Sequence, residues 1–252
     1  MLILLSPAKT LDFIQEFTGQ TTIPVFQKQA LELINILKKM SQKQIAKLMD
    51  LSDNLAKLNL ERYLDFAKNG TRDSLPAIIA FKGDVYKGLD ADKFSKSDLE
   101  YASSHLRILS GLYGILKPLD LIKAHRLEMG TRLKNPKGNN LYKFWGDGIA
   151  NEINLSLKDD PEPLIINLAS TEYFKSVNTK ILEHKVITPV FKEKKGNEYK
   201  MVMIFAKEAR GMMASYIIKN RITKLKDLEK FNDKGYNYKK ELSENNELVF
   251  VR

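Results

Sequence analysis

The chain has 252 residues, no cysteine, 41 Lys plus Arg against 31 Asp plus Glu, and a formal net charge of +10. A chain of this length buries a substantial core without staples, and the missing cysteines exclude a disulfide scaffold, a thiol nucleophile and thiolate metal sites. The basic excess suits a polyanionic partner or, equally, a lysine-rich surface with no partner at all.

Met1–Leu5 is apolar but lacks a basic leader and stops at Pro7. No run is long enough to span a membrane, so a cytoplasmic protein without a membrane partner is expected. Leu2–Leu5 reads as the first strand. Pro24 precedes a helix with Phe26, Ala30, Leu33 and Leu37 on one stripe. Ser41-Gln42-Lys43-Gln44 fits a capping box and opens a helical excursion over 41–68. Ala77–Phe81 reads as a strand. Ser97-Asp98-Leu99-Glu100 fits a second capping box, opening a helix with Leu99, Ala102, Leu106 and Leu109 inward. Strands are expected at Leu164–Ala169, Val186–Phe191, Met201–Phe205 and Leu248–Val251. A further helix runs through Ala209, Met212, Met213, Tyr216 and Ile217. Several strands are apolar on both faces, as in a sheet covered by helices. The expectation is one α/β domain over 1–252, or its mixed α+β variant, with a central mixed sheet flanked by helices and the excursion at 41–68.

The densest chemistry lies between Tyr101 and Asp147, where Gly, Tyr, Arg and the only Trp are crowded together. Arg107, Arg126 and Arg132 are guanidinium forks suited to phosphate or carboxylate. Tyr113, Tyr142 and Trp145 offer flat surfaces with polar tips. Arg126 and Glu128 share a face of an extended segment, so Glu128 either fixes and orients Arg126 or acts as a general base.

Other candidates are spread along the chain. Ser6, Lys9 and Thr10 follow the first strand, where α/β folds expose ligand groups, although the glycines of a P-loop are missing. Lys82 and Asp84 flank Gly83 at an expected strand end; Asp84 is a base, a metal ligand or, most often for Asp after Gly, a loop-stabilising group. Lys207 and Arg210 sit where a strand would pass into a helix. Asn167, Ser170, Glu172, Tyr173 and Lys175 follow another strand. Asp50-Leu51-Ser52 joins two apolar helices, with Ala56 behind it and Lys43, Lys47, Lys57 and Arg62 around it. Such a hairpin points amides at a phosphate, yet Asp50 and Ser52 stand where glycines would let the backbone come close. Ser52 is placed to cap the second helix, and a purely structural hairpin with a solvated basic face fits the residues slightly better. His105, His125 and His184 have no metal-ligand spacing, and neither a metal nor a cofactor is expected.

LRILSGLYGILKPLD (106–120) followed by RLEMGT (126–131) resembles the YaaA family of bacterial peroxide stress-resistance proteins. So do SPAKTLDF (6–13), FKGDVYKGL (81–89), LYKFWGD (141–147), NLASTEYFKSV (167–177) and FAKEARGMMASYII (205–218), in family order along nearly the whole chain. The resemblance implies a cytosolic protein that limits oxidative DNA damage by restraining free iron. It also implies a DNA-binding mixed α/β fold with a helix-hairpin-helix element, and it attaches no reaction.

Taken with the residues, the expected partner is DNA, bound as a monomer through a basic cleft with little regard to sequence. The cleft would gather Lys9, Arg126, Lys207 and Arg210, with Asp84 and Glu128 as candidate catalytic carboxylates. The alternative is an enzyme acting on a small anionic or nucleotide-like substrate in the same cleft.

Overall fold

The computed structural model describes residues 1–68 and 70–252. It is a mixed α/β structure built on an eight-stranded sheet. The strands are β1 (Leu2–Leu5), β2 (Leu106–Ser110), β3 (Gly114–Leu116), β4 (Leu164–Leu168), β5 (Lys185–Lys195), β6 (Glu198–Lys200), β7 (Asn237–Tyr238) and β8 (Glu247–Val251). Their order is β7-β8-β5-β4-β1-β2-β3, with β6 folded back on β5. From β8 to β2 every neighbouring pair is parallel, and the pairs β2–β3, β5–β6 and β7–β8 are antiparallel. All four residues of β1 and all five of β2 are buried, as a central parallel strand covered on both faces requires.

The helices are α1 (Gln27–Leu37), α2 (Gln42–Met49), α3 (Asp53–Asp65), α4 (Asp84–Leu89), α5 (Lys96–His105), α6 (Gly148–Leu157) and α7 (Met203–Lys219), with several single turns between them. The Ser41 capping box is formed: Gln44 N–H donates to Ser41 Oγ at 3.3 Å and Ser41 N–H to Gln44 Oε1 at 2.7 Å. Ser52 caps α3 by accepting from Leu55 N–H. Helix α7 packs against β5, β1 and β4 and crosses α4 closely.

Four expectations are corrected. Ala77–Phe81 is not a strand of the sheet. Ala77–Ala80 makes one buried helical turn, and Phe81–Lys82 then pairs antiparallel with Thr10–Leu11. The N–H groups of Ala77 and Ile78 bond to the carbonyls of Asp120 and Pro118, and a short apolar run alone does not separate the two outcomes. Met201–Phe205 is not a strand either: α7 begins at Met203, and Met203, Ile204 and Phe205 are exposed on its first turn. Leu106 and Leu109 belong to β2 rather than to the inner face of a helix, because α5 ends at His105. The capping box of α5 lies two residues earlier than expected, on Ser95 and Asp98. There Asp98 N–H donates to Ser95 Oγ at 3.1 Å and Ser95 N–H to Asp98 Oδ2 at 3.0 Å.

A candidate ligand cleft at the switch point of the sheet

After β1 the chain crosses to β2 on one side; after β4 it crosses to β5 on the other. The segments leaving the carboxyl ends of β1 and β4 therefore diverge, which opens a crevice between them. Its base is locked by a pair of serines. Ser170 N–H donates to Ser6 Oγ at 2.8 Å, and Ser6 Oγ reaches Ser170 Oγ at 3.3 Å. Tyr86 of α4 donates its hydroxyl to the Ser6 carbonyl at 3.2 Å. Ser6 is thus a buried bracket, not the exposed anion ligand expected of it.

Above this base sits a charged cluster. Glu128 takes Lys9 Nζ on Oε2 at 2.7 Å and Arg126 Nη2 on Oε1 at 2.8 Å. With two cations on it, Glu128 orients both of them, and the orienting role is the one its geometry fits. The cluster borders a cavity of about 740 Å³. Lys9, Arg126, Glu128, Thr131, Arg132 and Glu172 line one side; Met40, Gln44, Lys47, Leu48, Met49 and Asp50 line the other. One oxygen of Glu172 is fixed by Gly130 N–H at 2.8 Å. Beneath the cluster a hole of about 20 Å³ is bounded by Ser110, His125 and Tyr173 among others, about the space of one water. Burial, with the Glu172 and Glu128 carboxylates close by, pushes the Tyr173 hydroxyl far above its usual range.

The second wall belongs to the 41–68 excursion. Asp50 takes a left-handed conformation, φ 50°, that ends α2 and turns the chain toward α3. The excursion is held over the crevice by Tyr63, whose hydroxyl donates to the Arg126 carbonyl. Lys47 faces the cavity, whereas Lys43 and Lys57 are exposed outside its lining. Arg62 is half-buried, and burial pulls its pKa down. Tyr63→Phe should leave the Arg126 carbonyl without this donor, at about 1–3 kcal/mol. Faster proteolysis within 41–68 is then expected, and cleavage at the parent rate would show that Tyr63 does not hold the excursion.

Several expected members lie elsewhere. Arg107 is 5% exposed and donates to the carbonyls of Ser103 and Leu106 and to Ser156 Oγ. It ties α5 and α6 to β2 and borders a different cavity, with Asp120 and Glu152. Tyr113 is 1% exposed; its oxygen accepts Lys123 N–H at 3.1 Å and its ring meets His125 edge-on. Trp145 is buried with its indole N–H on the Gly111 carbonyl. Neither ring offers the stacking face expected of it. Thr10 and Lys82 face each other across a two-residue ladder, with Lys82 near Asp92. Asp84 opens α4, while Lys207 and Arg210 ride on α7 inside the helix, not at a strand end. None of these five lines the cavity. The shared cleft therefore unites Lys9, Arg126 and Glu128 but not Asp84, Lys207 or Arg210.

Glu172 is the member that residue reading placed in a polar cluster without singling out. Only its approach to Gly130, which the fold alone creates, makes it part of the cavity. Among the described residues, no three His, Asp or Glu side chains gather as a metal-holding group, and no helix is long and apolar enough to cross a membrane.

Comparison with known proteins finds relatives along the full length of the chain. The family model described as peroxide stress protein YaaA matches residues 1–242. A UPF0246 protein of Legionella pneumophila (strain Lens) is 50% identical over 255 residues, covering 100% of this chain and 99% of its own. A UPF0246 protein of Shewanella loihica is 48% identical over 254 residues, covering 100% and 98%. The chain belongs to the YaaA family of peroxide stress proteins.

Proposed function

We propose that this peroxide stress protein works in the cytoplasm by binding nucleic acid across the switch-point cleft, and that it thereby limits iron-dependent oxidative DNA damage. The observation that supports this reading is the convergence of Lys9, Lys47, Arg126 and Arg132, from three separate stretches of chain, around one cavity. Arg126 and Lys9 are pre-set by Glu128, while Lys47 and Arg132 are exposed and make no ion pair among the described residues. Such cations displace the counterions condensed on a phosphate backbone. Fe²⁺ held at the same phosphates gives one electron to hydrogen peroxide, becoming Fe³⁺ and releasing hydroxide and a hydroxyl radical beside the sugar and base; a protein seated on those phosphates displaces the iron from that position. Helix α2 and the Asp50 turn that leads to α3 supply the outer wall, and the α2–α3 pair would serve as the helix-hairpin-helix element.

Fluorescence anisotropy with labelled single- and double-stranded oligonucleotides at several salt concentrations tests it. Affinity is expected to fall steeply with salt. In Lys47→Glu/Arg132→Glu the slope of log K against log salt should shrink by about 2, with stability changed by about 0.5 kcal/mol or less because both side chains are exposed. No binding at low salt by the folded protein, or an unchanged slope in the double variant, would overturn the proposal.

The enzyme reading keeps one specific support: two carboxylates, Glu128 and Glu172, stand at the divergent strand ends where α/β enzymes place their chemistry.

A further inference from the structure

The cavity is not a uniformly basic groove. Glu172 and Asp50 line it beside the cations, and a phosphate chain laid along it would meet both carboxylates. Glu172 is held in place by Gly130 N–H on one oxygen, and its other oxygen has no hydrogen-bond partner among the described residues. Facing it, Met40, Leu48 and Met49 form an apolar wall. Methionine thioethers pack well against aromatic rings. A volume of about 740 Å³ far exceeds a phosphate and falls in the range of pockets that enclose an organic ligand, about 300–1,000 Å³. A fixed carboxylate, an apolar stretch and exposed cations around one cavity fit a ligand that is anionic at one end and carries an aromatic ring with N–H donors at the other.

We propose that the cavity takes one unpaired nucleotide, its phosphate on Lys47 and Arg132, its base against the methionine wall and an amino N–H of the base on Glu172. The proposal rests on the nucleic-acid reading above and adds to it a preference for unpaired strands and for amino-bearing bases. A duplex presents its bases already stacked and paired, so only an unstacked or extruded nucleotide reaches the carboxylate. A carboxylate accepts readily from the exocyclic amino group of adenine or cytosine. Thymine has no amino group, and an abasic residue offers neither ring nor donor.

The test compares labelled oligo-dA, oligo-dC, oligo-dT and an abasic strand of equal length in anisotropy titrations at one salt concentration. The full-length protein is used alongside its Glu172→Ala and Met49→Gln variants. Oligo-dA and oligo-dC are expected to bind about tenfold tighter than oligo-dT, as for one hydrogen bond to a charged group. Glu172→Ala should remove that preference while leaving oligo-dT binding unchanged or tighter, since it deletes a repulsive charge. Met49→Gln should weaken the three base-bearing strands more than the abasic one. Equal affinity for all four strands would overturn this proposal and leave the nucleic-acid reading standing. A preference that survives Glu172→Ala would overturn the assignment to this cavity. No binding to any of these strands would overturn this proposal, and would overturn the nucleic-acid reading only if duplex DNA also fails to bind.

Discussion

Gly211→Ala is expected to cost about 3 kcal/mol or more of stability, through a clash of backbone with backbone that rotamer changes cannot relieve. A Cβ at 211 would stand 1.8 Å from the Val85 carbonyl oxygen and 2.7 Å from the Leu89 nitrogen. The contact is reciprocal: a Cβ at Gly88 would stand 2.0 Å from the Glu208 carbonyl oxygen. Helices α4 and α7 therefore touch main chain to main chain, and one methyl group forces them apart. The effect reaches the cleft, because α4 also carries the Tyr86 hydroxyl that holds the Ser6 carbonyl. The midpoint of thermal unfolding, followed by circular dichroism, should fall by roughly 6–12 °C for a chain of this size. Gly148→Ala is the control, since its Cβ would find only Phe26 Cζ at 3.6 Å, an ordinary contact. A Gly211→Ala midpoint within about 1 °C of the parent would show that the helices separate at little cost.

The sequence carried this crossing only as a glycine in FAKEARGMMASYII, and the way it misled there is instructive. Reading Met201–Phe205 as a strand placed Lys207 and Arg210 at a strand end, whereas they and Gly211 lie inside α7. The residues before Ala206 are apolar without being buried, so hydrophobicity mimicked a strand where a helix simply begins. Where apolar runs are buried on both faces, as in β1, β4 and β8, or alternate in burial, as in β5, the elements were legible to within a few residues. The Ser41 and Ser52 caps were legible for a stronger reason: an N-cap hydroxyl acts within its own turn and needs no distant partner. The site divided along the same line. Lys9, Arg126 and Glu128 stand out by residue type next to a strand end or in an extended pair. Arg107 and Tyr113 stand out equally, yet depth depends on which strand neighbours which: Arg107 lies on β2, flanked by β1 and β3, and Tyr113 in the tight turn between β2 and β3. Glu172 joins Gly130 across 42 positions of sequence, a proximity set by the crossovers on either side of β1 rather than by any local pattern.

His125 should make the protein lose stability as pH falls below about 6.5, before ordinary carboxylates begin to titrate. The side chain is 7% exposed; its Nδ1 lies 2.7 Å from the Lys123 carbonyl oxygen, placed to donate to it, and its ring meets Tyr113 edge-on. Burial pulls its pKa down from 6.5 to about 4; the Lys123 carbonyl opposes the shift and the nearby Arg62 charge adds to it. The unfolded chain takes up a proton below pH 6.5 while the folded chain refuses one until about pH 4. The unfolded state then binds more protons across that window, so this contribution is complete above the upper value and is lost as pH falls toward the lower. Its size is about 3 kcal/mol at most, from about 1.4 kcal/mol per pKa unit. Asp98 and Glu208, held low by Ser95 and Lys234, lose their contributions only at lower pH. Asp120, raised by burial, acts in the opposite sense. The informative quantity is therefore a difference: between about pH 7 and about pH 4.5 the parent should lose about 2 kcal/mol more than His125→Gln in urea unfolding. Equal losses in the two proteins would mean that His125 is not buried as a neutral ring. Because His125 borders the hole beneath Lys9 and Glu128 and directly precedes Arg126, the same protonation disturbs the segment that presents the cleft's central cation. Acid should thus weaken ligand binding in the parent at a pH where His125→Gln still binds.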